Sequence, residues 1–351
     1  MKNIRPMRIL IAFLLLYYMV VSCSGCAFVS VPAFGPSSFD LEEKTVLGEG
    51  KDKVLLMDIS GTISEEDETN PLGMTTKINP VARIREELEL AKKDKKIKAL
   101  ILKIDSPGGT VTASDIIYHE LKTFKEETGI PIFISMMDVA ASGGYYIAMA
   151  GDKIIAHPTT ITGSIGVLTM KFDVQGLMDK IGVEEVTVKS GDMKDFNSIF
   201  HTLRPEDQAL LQHVIDSLYE RFIGIMVESR PGLAALSREN IRQIADGRIY
   251  TAQEALDLKL IDGIGYLEDA ISLAKKEAGL IRAKVVIYQR FSQHKSTIYS
   301  HDSSASSFPL TGGALAASVL TSPLSDLKSL PLVKDLSARE LSGRFWYLWT
   351  P

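Results

Sequence analysis

An α/β fold of stacked βαβ units is the architecture this sequence predicts, on two observations. Short apolar runs bounded by turn residues recur between stretches of helical periodicity, and glycine-rich turns stand where strands give way to helices. The first strand is Val54 to Ser60. Asn79 and Pro80 then supply an N-cap and first helical position for a helix running to about Lys92, with an apolar stripe and a charged face. The charged run from Lys92 to Lys96 reads as a solvated turn without function. Lys98 to Ile104 is the second strand, followed by a helix from about Thr112 to Glu127. Pro131 to Met137 reads as a buried strand, Gly143 to Met149 as an apolar helix and Lys153 to Ala156 as another strand. A long helix starts at Arg204-Pro205 and carries Leu211, Val214, Leu218, Phe222 and Ile225 at helical spacing, which packing or oligomer contact explains. Thr251 caps a further helix, and Arg248 before it is a candidate for pairing across a subunit boundary.

Ser142 falls at the turn between the strand 131–137 and the helix that Gly143 opens. Such a turn lifts a hydroxyl to the carboxyl edge of a sheet, beside helix N–H groups that favour a developing negative charge. An N-cap serine followed by two close-packing glycines is the competing reading. One βα unit earlier, Asp105-Ser-Pro-Gly-Gly109 turns the chain sharply at the same sheet edge. Gly109 and Gly143 are therefore the candidate backbone donors for an acyl oxyanion.

The ordered motifs Asp105-Ser-Pro-Gly-Gly109, Ala141-Ser-Gly-Gly-Tyr145, Thr162-Gly-Ser-Ile-Gly-Val167, Ser190-Gly-Asp-Met-Lys194 and Ala245-Asp-Gly-Arg-Ile249 resemble those of the signal peptide peptidase A group, the S49 serine peptidases. The likeness runs from about residue 52 to residue 290. It implies a Clp/crotonase-like stack, Ser142 as nucleophile, Lys194 as general base and Ser164 as the hydroxyl that hydrogen-bonds the lysine. It also implies peptide substrates such as released signal peptides, and assembly into a homo-oligomeric ring. Where the family usually has Ser-Pro-x-Arg after the lysine motif, this chain has Asn197-Ser-Ile-Phe200, a departure beside the lysine that bears on substrate choice.

A lysine amine acts as a base near neutral pH only where burial disfavours its charged form by about 4 kcal/mol. Neighbouring loops or subunits have to supply that burial, and Asp192 and Asp195 have to point away from the amine. A Ser-His-Asp triad is the alternative. The segment in which Clp proteases carry their histidine reads Thr162-Gly-Ser-Ile165 here, which leaves His201 as the substitute base. His157, before Pro158, reads as a packed or capping residue.

Both cysteines, Cys23 and Cys26, precede the folded part, so no thiolate metal site, cysteine nucleophile or internal disulfide is expected in it, and no cofactor. Gly163-Ser-Ile-Gly166 is too short for a dinucleotide or phosphate fingerprint. A net charge of −5 gives no electrostatic case for nucleic acid. Lys2, Arg5 and Arg8 precede an apolar run from Ile9 to Val21, so residues 1–26 read as a signal peptide or membrane anchor. Cys23 and Cys26 are candidates for lipidation, an uncleaved helix is the second reading and a plain cleaved signal the third. The first two place the catalytic domain at the cell membrane on its extracytoplasmic side.

The expected organisation is a linker at 27–51, a catalytic domain at 52–290, a Ser/Thr/Ala-rich linker at 291–330 and an apolar tail at 331–351. The tail holds Phe345-Trp-Tyr-Leu-Trp349, an aromatic run that water does not favour; docking on the domain or a neighbour, a membrane interface and a substrate groove are its three possible settings. Membrane-associated endopeptidase is the function these readings support. A non-proteolytic acyl-binding or scaffold protein of the Clp/crotonase type is the alternative.

Overall fold

The computed structural model describes residues 41–69, 75–290, 293, 295–300 and 344–349. The leader with Cys23 and Cys26, most of the linker at 291–330 and the tail before Arg344 lie outside the described residues.

The chain opens with β1 (Leu41–Leu47) and β2 (Asp52–Ser60), followed by the short antiparallel pair β3 (Glu68–Thr69) and β4 (Thr75–Lys77). Helix α1 (Pro80–Lys93) begins at Asn79, whose side chain accepts the Ala82 N–H as the sequence predicts. Next come β5 (Ile97–Ser106), the three-residue β6 (Gly108–Thr110) and α2 (Val111–Thr128), which Thr110 caps. Strand β7 (Ile132–Ala141) leads through a single residue into α3 (Gly143–Ala148); β8 (Lys153–Ala156) and β9 (Ile161–Gly163) follow. A module made of α4 (Gln175–Ile181) and a 3₁₀ turn at Asp192–Asp195 precedes the long α5 (Pro205–Ser229) and α6 (Arg238–Ile244). Strand β10 (Ile249–Thr251), α7 (Ala252–Asp257), β11 (Gly263–Ile264), α8 (Leu267–Glu277), β12 (Ala283–Arg290) and β13 (Trp346–Leu348) complete the order.

The main sheet runs β1-β12-β2-β5-β7-β8-β11, with β9 also beside β7 and β10 beside β9, and its pairs are parallel except β1–β12 and β9–β10. Leu41–Leu47, within the polar stretch read as a linker, is thus an edge strand; its burial never exceeds partial, which is why it carries so little apolar signal. Parallel strands covered on both faces must be apolar on both, and the central ones are. Leu55, Met57 and Ile59 of β2 join Leu100, Leu102 and Ile104 of β5 in the core under α1, α2 and α3. Val54 and Leu56 face the other way with Ala99, Ile101 and Phe133, against Leu267 and Ile271 of α8 and Ile298.

Strand parity also carries two charges inward. Asp58 follows Val54 and Leu56 on the second face, Lys103 follows Ala99 and Ile101, and both are buried. Lys295 Nζ lies 3.3 Å from Asp58, and Arg83 on α1 lies 4.0 Å from it while pairing with Glu87 at 3.0 Å. Lys103 donates to the Ser300 carbonyl at 2.9 Å. This buried ionic cluster fastens the 295–300 segment over the strands. Burial pushes the Asp58 carboxyl up, but the Arg83, Lys295 and Lys103 charges outweigh it and hold the group at about 2.

Candidate active site

Ser142 stands alone between β7 and α3 with φ 51° and ψ −113°. A non-glycine residue at such a φ costs of order 1–3 kcal/mol and persists only where its surroundings impose it. Here the Ser142 N–H donates to the Gly163 carbonyl at 2.8 Å, and its own carbonyl accepts the Tyr146 N–H at 2.8 Å. Two glycines follow because the space allows nothing else. A Cβ on Gly143 would stand 2.5 Å from Ser114 Oγ, and one on Gly144 would stand 2.9 Å from the Ser106 carbonyl oxygen. The N-cap alternative for Ser142 fails, since its side chain makes no capping bond. Its Oγ is buried, at 1% residue exposure, without a hydrogen-bond partner among the described residues. A strained, buried hydroxyl that makes no local bond marks Ser142 as the candidate nucleophile of this turn.

Beside it, β6 forms a narrow strip held on both edges. On one side Ile63 pairs in parallel, donating to the Gly108 carbonyl and accepting the Thr110 N–H, each at 2.9 Å. On the other side β13 runs antiparallel, with Trp346 opposite Thr110, Tyr347 opposite Gly109 and Leu348 opposite Gly108. The far edge of β13 exchanges two bonds with Leu168, at 3.1 and 2.9 Å. The aromatic tail is therefore docked on the domain as an inserted strand. Val111 N–H bonds the Phe345 carbonyl and Trp349 N–H the Pro107 carbonyl. Antiparallel ladders alternate, so the pair between them, Gly109 and Tyr347, is also a hydrogen-bonded one and aims the Gly109 N–H at the Tyr347 carbonyl.

That carbonyl lies among the predicted donors. A Cβ built on Gly143 would come 3.1 Å from both Gly109 N and Tyr347 O. One built on Gly108, whose φ is 106°, would come 2.0 Å from Tyr347 O and 2.7 Å from Gly143 N. Gly108 is thus as necessary to the groove as Gly109 and Gly143. The sequence motif contained it without distinguishing it.

Ser164 follows Gly163, which pairs with Ala141, so it flanks Ser142 on the next strand. It too has a positive φ, 49°, and its N–H donates to the Arg248 carbonyl at 2.7 Å. Arg248 itself forks onto Asp246 within the chain. Lys194 does not join this group by a hydrogen bond. It lies exposed on the 3₁₀ turn Asp192–Asp195, and Ser142 Oγ has no partner. Of the flanking aspartates, Asp195 is engaged elsewhere, its carboxylate taking the Lys189 ammonium at 2.7 and 2.9 Å; at Asp192 the backbone carbonyl accepts from Lys189 and Arg204. Lys189 holds the Asp195 carboxyl below the usual carboxylate range. His201 turns Nε2 to the Asp195 carbonyl at 2.8 Å and Nδ1 to the Thr202 carbonyl at 3.1 Å, so neither ring nitrogen is directed at Ser142. His157 bonds Thr159 and packs edge-on to Tyr266.

The inserted strand reveals a pocket. The fully buried Tyr347 ring stacks on Tyr146 at 5.0 Å and tilts against Phe222 at 4.8 Å, and its hydroxyl donates to the Leu218 carbonyl at 3.0 Å. Tyr146 donates to Asp115 at 2.5 Å, and Arg221 holds that carboxylate at 2.6 Å. Burial pushes both phenols far above their ordinary range, aided at Tyr146 by the Asp115 carboxylate. Phe222 and Leu218 had only helical spacing to mark them, which reads as packing; their role as pocket walls comes from where β13 lands.

The family model described as "Peptidase family S49" matches residues 124–281, and one described as "Clp protease" matches residues 68–162. A putative signal peptide peptidase SppA from Enterococcus faecium is 35% identical over 248 residues, covering 71% of this chain and 70% of that protein. A putative protease, slr0021, from Synechocystis sp. is 43% identical over 192 residues, 55% of this chain and 67% of that protein. A solved ClpP1 variant from Listeria monocytogenes aligns at 17% identity with a TM-score of 0.40, covering 62% of this chain and 94% of that one.

Proposed function

The chain belongs to peptidase family S49 and is a serine endopeptidase; from that premise we propose that it hydrolyses extended apolar peptides, spent signal peptides among them, with Ser142 as nucleophile and Lys194 as base. The observation that carries this reading is the β13 insertion. An extended peptide already lies antiparallel on Gly108–Thr110 and Leu168, its Tyr347 carbonyl beside Gly109 and Gly143. Main-chain pairing of this kind binds a peptide with little regard to sequence, while pockets for alternate side chains select it. The tail occupies the place and direction of a substrate.

In the reaction Ser142 Oγ attacks the carbonyl carbon while its proton passes to the neutral Lys194 amine. The negative charge gathers on the carbonyl oxygen between the Gly109 and Gly143 N–H groups, which are fixed before the reaction and need no reorganisation. As the C–N bond breaks, the lysine ammonium returns the proton to the leaving amine; water then enters, activated by the same amine, and hydrolyses the acyl-enzyme. Ser164, beside Ser142, orients the lysine.

For Lys194 to reach Ser142 it must come with the desolvation a lysine base requires, and a neighbouring copy in a ring supplies both. The module bearing Lys194 exposes Leu177, Ile181, Val186, Val188 and Phe200, with Val188 at 96% exposure, an apolar row suited to contact with another copy. The leader beyond the described residues holds that ring at a membrane; among the described residues no helix is long and apolar enough to span one. The test is hydrolysis of a quenched apolar peptide across pH by wild type, Ser142→Ala, Lys194→Ala and His201→Ala. Loss with the first two and retention with the third is the expected result. Activity surviving in Lys194→Ala would remove the lysine from the mechanism.

A further inference from the structure

Glu66 binds the only charged side chain of the docked tail strand described. The Arg344 guanidinium forms an ion pair with Glu66 Oε1, and the Arg344 carbonyl accepts the Thr169 hydroxyl at 2.9 Å. This places Arg344 three residues before Tyr347, whose carbonyl lies at the glycine donors. Around it an open cleft of about 530 Å³ has Glu65 and Glu66 on one wall and Val111, Val214, Leu218 and Phe345 on the others. Glu65 is fixed there by the Thr110 hydroxyl, at 3.0 Å, and Thr110 is also the N-cap of α2. Asp67, the next acid in the run, is turned away and accepts both the backbone and side-chain N–H groups of Asn79 at 2.9 Å. Glu65 is therefore positioned by the scaffold, while the Glu66 carboxylate beside it is held by Arg344 itself. The same groove carries the buried, unpartnered Ser142 Oγ at its reacting end.

We infer that Glu65 and Glu66 are specificity-determining residues that select a cationic side chain three positions before the residue whose carbonyl is attacked. The inference rests on the reading of the β6 groove as the peptide channel. The preferred substrate is then a peptide in which Arg or Lys precedes an apolar run, the order of charges and apolar residues found in an export signal. The pocket formed by Tyr146 and Phe222 accepts the aromatic or large apolar residue at the cleavage point, and the acidic pair fixes which residue of a long apolar run reaches it. Glu66 acts on register: an extended strand slipped by one residue points every side chain to the opposite face, so a single charge contact at one end suppresses the neighbouring cleavage positions.

The test uses the full-length assembled protein and two quenched peptides, one with the tail order Arg-Phe-Trp-Tyr-Leu-Trp-Thr and one with Gln replacing Arg. Their binding to the Ser142→Ala chain is measured alongside cleavage by wild type. An exposed ion pair is weak, so the Arg peptide is expected to bind and react roughly three- to tenfold better, chiefly through KM, with the advantage shrinking as salt is raised. Glu66→Gln should abolish the difference between the peptides, and Glu66→Arg should reverse it in favour of a peptide with Glu at that position. A structural role for Glu66 would not move preference in this charge-dependent way. Equal handling of the two peptides by wild type, or a preference that survives Glu66→Gln, overturns the inference while leaving the peptidase reading intact. Failure of both peptides to bind Ser142→Ala overturns the channel reading and the inference together.

Discussion

Tyr347→Ala should release the tail strand and raise activity on added peptides. The ring is fully buried, stacked on Tyr146, in contact with Phe222 and anchored through its hydroxyl to Leu218. Truncating a buried aromatic side chain of this kind costs about 3–5 kcal/mol. The backbone ladder to β6 and Leu168 stays chemically possible, so the loss falls on the docking equilibrium of 344–349 and not on the domain core. Even the lower figure changes the ratio of docked to undocked tail by about 150-fold. Substrate competes with the tail for the same strand position, so the apparent KM for an apolar peptide should fall, with kcat little changed. Amide hydrogen exchange at position 347 and at Trp349 should accelerate in parallel. Faster exchange without a change in KM would refute the idea that tail and substrate share the groove, and unchanged exchange would refute the assigned strength of the Tyr347 anchor.

Two further outcomes follow from the geometry. Gly108→Ala places a methyl 2.0 Å from the position of the Tyr347 carbonyl oxygen and 2.7 Å from Gly143 N, at a φ of 106° that an alanine rarely adopts, so kcat/KM should fall by about 100-fold or more while the far-UV circular dichroism is retained. The Asp58 carboxyl, held at about 2 in the fold against an ordinary 3.8, contributes about 2 kcal/mol above pH 4, which should be lost as pH falls from about 4 to 2 in urea unfolding experiments. The folded pKa is the lower one, so stability falls on the acid side. Asp58→Asn should flatten that dependence and also destabilise the protein at neutral pH, because Arg83, Lys103 and Lys295 would lose a buried counter-charge.

Much of the scaffold was legible because it obeys local rules. Asn79-Pro80, Thr251 with Glu254, and the glycines after Ser142 each announce a chain direction through capping or steric chemistry, and the structure uses all of them so. Edge strand β1 was hidden because a half-exposed strand such as Leu41–Leu47 needs few apolar residues. Strand parity explains the buried charges: Asp58 and Lys103 interrupt runs otherwise read as apolar, and only their shared face and the 295–300 segment show that they are paired. At the site, Gly109, Gly143 and Ser142 were visible as turn and elbow residues, and Ser164 through the family resemblance alone. The docking of β13 on a Gly-Gly-Thr strand more than 200 residues earlier was not, because the aromatic run declares that it must be buried but its partner strand carries no complementary local signal. The relation of Lys194 to Ser142 is a different case. The sequence supplies the lysine, and the single chain leaves it exposed.

The most direct test of the account is therefore subunit mixing. Ser142→Ala and Lys194→Ala proteins, each expected to be inactive alone, are unfolded or dissociated, combined in equal amounts and reassembled, and peptide hydrolysis is compared with that of wild type treated identically. If each site takes its serine from one copy and its lysine from the next, random assembly restores about a quarter of the sites and a corresponding share of the activity. If the mixed assemblies form yet remain as inactive as their parents, Lys194 does not serve Ser142 across a subunit boundary, and the proposed source of the catalytic base is wrong.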